Sequence, residues 1–195
     1  MAYCTVAQVR AYTGITATND DSLIEALITR ASRAIDIHTH RTFETASDST
    51  RYFDAERDTR DDYLLLDWSP YGLDLCQITN VVNGDGVTIA AASYATEPRH
   101  YTPYYGLRLK LNSGYYWTYD DDPENAIAVT GRWAYSITPP NDIVHASIRM
   151  ATYLYRQKDS NVFDVLAIPG SGVIEIPQGI PKDVAVMLEP YRRIV

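Results

Sequence analysis

Residues 20–43 read DDSLIEALITRASRAIDIHTHRTF and carry the strongest helical pattern in the chain. Ser22 and Glu25 have the spacing of a capping box, and the acidic residues before them suit the positive end of a helix dipole. Apolar residues then recur three and four positions apart, as on one face of a helix: Ile24, Leu27, Ile28, Ala31, Ala34 and Ile35. The pattern predicts a helix over about 22–39 that buries this face against other parts of the chain.

Three further segments carry helical patterns. A capping-box pair, Thr5 and Gln8, predicts a short helix over about 5–13. Apolar residues at helical spacing follow a Pro-Pro pair and predict a helix over about 140–158, and a single proline begins the last one, over about 181–192. The first helix is too short to persist in water alone, and every helix needs a place to bury its apolar face, so we expect all four to pack as a small four-helix bundle.

The segment from about 51 to 135 has the period of strands instead. Polar and apolar residues alternate in GLRLKL (106–111) and AIAVTGRWAY (126–135), as in half-buried strands. The sequence NGDG at 83–86 lies between two apolar runs and predicts a hairpin, because Asn, Asp and Gly tolerate positive φ. We therefore expect an α+β fold in a single domain, 1–195, in which the helical bundle carries a β-rich insert.

A loop rich in glycine and proline is predicted over 159–180, interrupted by the short apolar piece VIEI. Long loops of this kind usually have a function or are disordered. The apolar side chains of this piece, Val173, Ile174 and Ile176, suit a strand that pairs with the sheet of a neighbouring chain. We therefore expect these residues to contribute to an interface between subunits.

The composition indicates a folded protein that does not bind nucleic acid tightly. Of the 195 residues, 46% are hydrophobic and 22% are charged, and no apolar run is long enough to cross a membrane. The net charge of −8 argues against avid binding to a phosphate backbone, which needs clustered cations. No secretory leader is recognisable, so we expect synthesis in the cytoplasm, with Cys4 and Cys76 as buried thiols. The 16 tyrosines, against three Phe and three Trp, suit subunit interfaces.

His38 and His40 are the most tempting candidates for a metal site. Two residues apart on a helix, they point in different directions, so both reach one ion only where the helix has ended. We favour the interpretation that His38 packs at the helix end and complements its last carbonyls. The alternative is a metal-dependent hydrolase or nuclease that uses both histidines and the acidic loop 54–62. The chain shows no nucleophile elbow and no phosphate-binding loop, and we predict no catalytic residue, cofactor or metal.

Four segments together resemble the small head–tail connector proteins of long-tailed bacteriophages, also called head–tail adaptors or head-completion proteins. They are TVAQVRAYTGI (5–15), DDSLIEALITRASRAIDIHTHRTF (20–43), TPPNDIVHASIRMATYLYRQKDS (138–160) and IPKDVAVMLEPYRRIV (180–195). Each segment alone is weakly specific, whereas their order along the chain is much more so. The β-rich segment is not covered by the resemblance.

The resemblance implies a structural virion protein rather than an enzyme. Proteins of this family look like helical bundles with a β-rich insert, and they form a ring, usually a dodecamer, beneath the portal protein. Such a ring extends the channel for genomic DNA, which passes without sequence-specific binding, and docks a stopper or tail-terminator protein. Within this interpretation we expect Tyr191, Arg192 and Arg193 to face the portal or a neighbouring subunit. Another neck component, a stopper or tail-completion protein, is the alternative within the same class.

Arg41 and Phe43 follow the long helix and lead the chain into the β-rich segment. We expect them to anchor this exit, with Phe43 buried. Complete burial of the phenyl ring contributes about 1.5–3 kcal/mol relative to an exposed one.

Overall fold

The computed structural model describes residues 1–66, 74–158 and 179–193, together with the backbone of two strands at 165–168 and 172–175. The described chain divides into two compact units. The helical unit combines Met1–His40 with the chain from Pro139 onward, and the β unit spans Arg41–Thr138.

Four helices form the helical unit. They are α1 (Val6–Thr13), α2 (Asp21–Thr39), α3 (Asn141–Gln157) and α4 (Lys182–Leu188). The capping box predicted for α1 is present: Gln8 N donates to Thr5 Oγ1 at 3.2 Å, and Thr5 N donates to Gln8 Oε1 at 2.8 Å. Gly14 ends α1 with a φ of 75°, which L side chains adopt at a cost. The capping chemistry of this short helix can therefore be read directly from its sequence.

The start of α2 differs from the prediction. Its N-cap is Asp20, whose side chain makes no capping hydrogen bond, so the capping box expected at Ser22 and Glu25 is wrong. Asp20 Oδ2 instead accepts hydrogen bonds from Lys158 Nζ and from Tyr155 Oη, each at 2.5 Å. These bonds hold the pKa of the Asp20 carboxyl below its ordinary value. The acid at the start of α2 thus ties it to the end of α3.

The core of the helical unit lies where α2 packs against α3. The predicted apolar face of α2 supplies four of its fully buried side chains, Ile24, Ile28, Ala31 and Ile35. Across from them α3 buries an inner face that is partly polar: Ile143, Ala146, Ser147, Ile148, Met150, Ala151 and Thr152. α1 and α4 pack on this pair through Val9, Val184 and Leu188, each at most 1% exposed.

The β unit contains two antiparallel sheets. Its strands are β1 (Ser49–Phe53), β2 (Thr59–Arg60), β3 (Tyr63–Leu65), β4 (Gln77–Val82), β5 (Tyr94–Glu97), β6 (Gly106–Leu109) and β7 (Ile127–Arg132). One sheet has the order β1-β7-β4, and the other has the order β2-β3-β6-β5. In the chain that follows α3, β8 (Val165–Ile168) and β9 (Gly172–Glu175) pair with each other as an antiparallel hairpin.

The register of the first sheet places its apolar residues on one face. Phe53 lies opposite Ile127, and Val81 lies opposite Val129, and all four are buried. Tyr52, one position before Phe53, is 61% exposed, as the alternation of side chains along a strand requires. The buried residues of both sheets form one cluster: Phe53, Ala55, Leu64, Leu66, Leu75, Val81, Ile89, Leu107, Leu109, Ile127, Val129 and Trp133. The β unit therefore has a hydrophobic core of its own.

The predicted four-helix bundle with a β-rich insert is wrong as a description of the architecture. The chain is an α+β protein whose two sheets form a compact unit with its own core, not an appendage on a bundle. α4 has seven residues, and Pro190 falls in a turn of 3-10 helix, Glu189–Tyr191, so the helix predicted over 181–192 ends early. Of the loop predicted over 159–180, most lies outside the described residues.

The turn after β4 is more than a hairpin tip. Asn83 N donates to Val87 O at 2.9 Å, and Gly86 has a φ of 76°, as the sequence predicts for a turn. The Asn83 side chain is nevertheless buried. Its Nδ2 donates to Tyr116 O at 2.8 Å, and its Oδ1 accepts from Thr118 N at 3.2 Å. Asn83 therefore fastens the turn to the segment before β7.

Replacing Asn83 by Ala should lower the free energy of unfolding by about 1–3 kcal/mol, because Tyr116 O and Thr118 N lose the hydrogen bonds of the buried Asn83 side chain. The matched control is Asn80→Ala, since Asn80 is exposed on β4, and it should change stability by less than about 0.5 kcal/mol. Denaturant unfolding of both variants measures the difference. Equal effects would contradict the structural role of Asn83.

Candidate functional site

The terminal segment of the helical unit, residues 189–193, carries three of the residues expected at an interface. Tyr191 Oη donates to Asp142 Oδ2 at 3.0 Å, and Arg193 N donates to Thr39 O at 2.9 Å. The second bond satisfies a carbonyl at the end of α2 that the helix itself leaves free. Arg192 has half of its side chain exposed, and its guanidinium lies 4.0 Å from the exposed Glu189 carboxylate.

These contacts show that the three residues differ in how available they are to a partner protein. Tyr191 and Arg193 hold the terminal segment against α2 and α3, so their first role is within their own chain. Arg192 presents a guanidinium to solvent, and its ion pair with Glu189 is weak because both groups are exposed. Among these three, Arg192 is therefore the residue most available to another protein.

The other residues predicted at an interface lie in or beside β9. Val173 and Ile174 belong to that strand, where Val173 is opposite Ala167 and Ile174 is opposite Leu166 of β8. Ile176 lies outside the described residues. Their contribution to an interface stays a prediction.

Arg41 and Phe43 open the β unit, as expected for an anchor at the helix exit. Phe43 is fully buried, and its ring centre lies 5.5 Å from that of Tyr135. Arg41 Nη1 donates to Asp74 Oδ1 at 2.6 Å, and its guanidinium lies 5.3 Å from the centre of the Tyr135 ring. Since Asp74 is only 7% exposed, this ion pair neutralises a buried carboxylate. Asp74 and Tyr135 lie far away in the sequence, and no local pattern indicates them as partners.

The two histidines lie at the end of α2. His38 is half-buried in the last turn, and its Nε2 is buried with no hydrogen-bond partner among the described residues. His40 is the C-cap, and its φ of 55° ends the helix in the left-handed region. Within the described ranges, no group of three or more His, Cys, Asp or Glu side chains is arranged to hold a metal ion.

The N-terminal residues contribute a polar cluster that the sequence does not indicate. Tyr3 N donates to Ser32 Oγ at 3.0 Å, and the Tyr3 hydroxyl donates to the Asp36 carboxylate. Cys4 Sγ lies 3.3 Å from Ser147 Oγ, within hydrogen-bond distance. This cluster joins the N-terminus to α2 and α3.

Burial raises the pKa of the Asp36 carboxyl to about 6, although the hydrogen bond from Tyr3 acts in the opposite direction. Burial also raises the pKa of the Cys4 thiol above its ordinary value. Burial therefore stabilises the neutral form of each group relative to the same group in water. Neither thiol nor carboxyl is prepared for nucleophilic chemistry by these surroundings.

None of the helices in the described chain has the length and apolar character needed to cross a membrane.

Comparison with known proteins gives one family. A model of the family described as "HCP: Head completion protein" matches residues 2–194, which include both units and the terminal segment. This match confirms the resemblance found in the four helical segments. No curated protein matches the chain.

Two solved structures share the fold. One is a chain from the neck of an empty GTA particle computed with C6 symmetry, with a TM-score of 0.55 and 16% identity. The other is a chain from the virion of a native gene transfer agent particle, with a TM-score of 0.53 and 16% identity. Each alignment covers 97% of this chain and 89% of the other one. At this identity the likeness is one of fold.

Replacing Phe43 by Ala should lower the free energy of unfolding by about 3–5 kcal/mol, because it leaves a cavity beside Tyr135. His40→Gly is the control at the same helix exit. It should cost nothing, since glycine adopts the left-handed conformation of His40 without strain. Denaturant unfolding compares the two variants, and a loss below 1 kcal/mol for Phe43→Ala would contradict the anchoring role.

Asp36 should make the helical unit less stable as pH rises. Its folded pKa of about 6 lies above the ordinary value near 4, so the folded state binds more protons between these pH values. The free energy of unfolding therefore falls from pH 4 to pH 6.5, by about 1–3 kcal/mol from this group.

Asp36→Asn removes the charge and keeps an oxygen that accepts the Tyr3 hydrogen bond. The variant should match the original chain near pH 4 and exceed its stability at pH 7.5. Glu25→Gln, on the exposed face of α2, serves as the control. Thermal unfolding at both pH values tests the expectation, and a difference that does not vary with pH would refute it.

Proposed function

Because this chain belongs to the head completion protein family, and is a structural protein of the virion's head–tail neck, we propose that it is the head–tail adaptor. In this role it contacts other components of the head and neck. It forms a ring beneath the portal, extends the channel for the genome and docks the next neck or tail protein. The match of the family model to residues 2–194 is the observation that carries this proposal.

The proposed partners are the portal protein, further copies of the same chain, and a stopper or tail-terminator protein. A ring requires two different patches on each subunit that meet head to tail around a closed symmetry. Arg192 offers one charged contact on the helical unit. The β unit also exposes four tyrosines, Tyr52, Tyr101, Tyr105 and Tyr116. Tyrosine combines apolar area with a polar tip, which suits contacts between subunits.

We propose a dodecameric ring. The neck that contains one structural neighbour was computed with C6 symmetry, and a dodecamer is compatible with a six-fold axis. In such a ring the two units act together as a single adaptor domain, and β8 and β9 supply contacts between subunits. Genomic DNA passes through without sequence-specific binding, because a protein of net charge −8 offers few cations to hold phosphates. No catalytic role is proposed for this chain.

Electron microscopy of the purified chain, alone and with portal rings, tests the adaptor assignment. We expect closed rings that attach to one end of the portal. A strictly monomeric chain that ignores portal complexes would refute the assignment.

Arg192→Glu should weaken attachment to the portal at least tenfold, because it reverses an exposed charge at the proposed contact. It is a cleaner test than truncation after Glu189, which would also remove the hydrogen bonds of Tyr191 and Arg193 to α3 and α2. The matched control is Arg33→Glu, an exposed arginine on α2. Co-sedimentation with portal rings measures attachment, and equal binding by both variants would exclude Arg192 from the interface.

A further inference from the structure

A cavity of about 200 Å³ opens on the helical unit beside α3. Its walls come from α1, α3 and the start of α4: Tyr12, Arg149, Thr152, Tyr153, Arg156, Pro181, Asp183 and Val184. Pockets for small-molecule ligands usually measure about 300–1,000 Å³. The cavity is therefore too small for a nucleotide or cofactor, and its size suits one side chain of a protein partner.

The charges at the cavity favour an acidic side chain. Arg149 and Arg156 lie seven positions apart on α3, so both project on one side of the helix. The Arg149 guanidinium pairs with the Asp183 carboxylate and donates to Tyr12 Oη at 3.1 Å. Arg156 is exposed and makes no hydrogen bond or ion pair with any described residue. Two guanidinium groups against one carboxylate leave one positive charge unmatched.

A buried hydroxyl also lies in the wall without a partner. Thr152 is 4% exposed, and its Oγ1 makes no hydrogen bond in the described chain. Buried polar groups are nearly always hydrogen-bonded, because an unmet bond costs stability. Thr152 also lines the cavity, between Arg149 and Arg156 on the same helix, so a rotation about its Cα–Cβ bond can turn the hydroxyl toward a carboxylate that the arginines attract. The cavity therefore offers both charge and a hydrogen bond to one carboxylate.

The chain carries an exposed acidic turn that fits this cavity. In the turn 120–124 the side chains of Asp120 and Asp121 are exposed and make no hydrogen bond or ion pair with a described residue. The turn is fixed at its base, because Pro123 O accepts from Ala55 N at 2.8 Å and Asp122 Oδ1 accepts from Glu124 N at 2.9 Å. A fixed turn loses little conformational freedom on binding, which favours association.

We infer that the cavity beside Arg149, Thr152 and Arg156 receives an acidic side chain from the turn 120–124 of a second copy of this chain. The contact is heterologous, since the cavity lies on the helical unit and the turn lies on the β unit. Repeated around a closed symmetry, it joins each subunit to the next. The inference rests on the proposed self-assembly and names a pair of surfaces that produces it.

Charge reversal on both sides tests the contact. Arg156→Glu and Asp121→Lys should each raise the Kd of self-association at least tenfold, while thermal unfolding shows that both variants keep their fold. The double variant, Arg156→Glu with Asp121→Lys in one chain, should associate again, because every interface then pairs a new acid with a new base. An equal mixture of the two single variants should also associate, in assemblies that alternate the two chains. Analytical ultracentrifugation of the full chain at low and high salt measures all four.

Thr152→Val gives a second, independent test. Valine has nearly the shape of threonine, and the hydroxyl makes no bond within the described chain, so folding should not suffer. Self-association should weaken severalfold, because the partner's carboxylate loses a donor. Arg33→Glu is the control for general electrostatic effects and should leave association unchanged.

The outcomes separate the contact from the function. If the original chain associates and neither Arg156→Glu nor Asp121→Lys weakens that association, the contact is overturned and the adaptor assignment still stands. If association is restored neither in the double variant nor in the mixture, the contact is overturned as well. A chain that neither associates nor binds portal would refute the adaptor assignment together with the contact. Binding to duplex DNA is tested with the same variants. If Arg156→Glu abolishes that binding and Asp121→Lys leaves it unchanged, the cavity binds phosphate instead of an acidic side chain.

Discussion

The packing of α2 against α3 is the interaction on which the helical unit depends. α1 and α4 are short, and helices of eight and seven residues do not persist unless they dock on something already formed. α2 and α3 provide that support through a buried face of aliphatic side chains, with a carboxylate at one end that binds Lys158 and Tyr155. The terminal segment and the N-terminal residues then attach to this pair through hydrogen bonds, among them those from Arg193 N to Thr39 O and from Tyr3 N to Ser32 Oγ.

The β unit achieves its stability in a different way. The chain leaves α2 at His40 and returns to α3 at Asn141, and the described residues of the β unit between them close on a core of their own. Two antiparallel sheets supply that core through alternate residues, and long-range polar contacts fix its irregular segments. Asn83 holds the turn after β4, and the ion pair of Arg41 with Asp74 holds the entry. Each contact satisfies a buried polar side chain, Asn83 in one case and Asp74 in the other, so loss of the contact costs stability.

This division of the chain suits a structural neck protein. In the proposed head-to-tail ring, each subunit needs two different contact surfaces, and the two units can supply one each. The charges follow the same logic. The chain is acidic as a whole, with −8 net charge, yet two arginines of α3 lie together at a small cavity. In the proposed ring, local complementarity between opposite charges selects the surfaces that meet, whereas a negative total charge disfavours the binding of phosphates.

The sequence by itself determined the position of the helices and the family. The apolar face of α2, the capping box of α1 and the turn at 83–86 depend on residues a few positions apart, so local spacing predicts them. The resemblance used the same helical segments in their order, and the family model confirmed it. The architecture could not be predicted in this way. Alternation of polar and apolar residues in the β segment indicates strands, but it does not show that the strands form a hydrophobic core of their own.

Only the tertiary structure decided which distant residues meet. Asp74 lies 33 positions from Arg41, and Asp20 lies 135 positions from Tyr155, and no pattern in the sequence joins either pair. The raised pKa of Asp36 and the unpartnered hydroxyl of Thr152 depend on burial, which the packing of separate helices creates. Local spacing determines the elements and the faces they bury, whereas the partners of buried polar groups are fixed only when those faces meet.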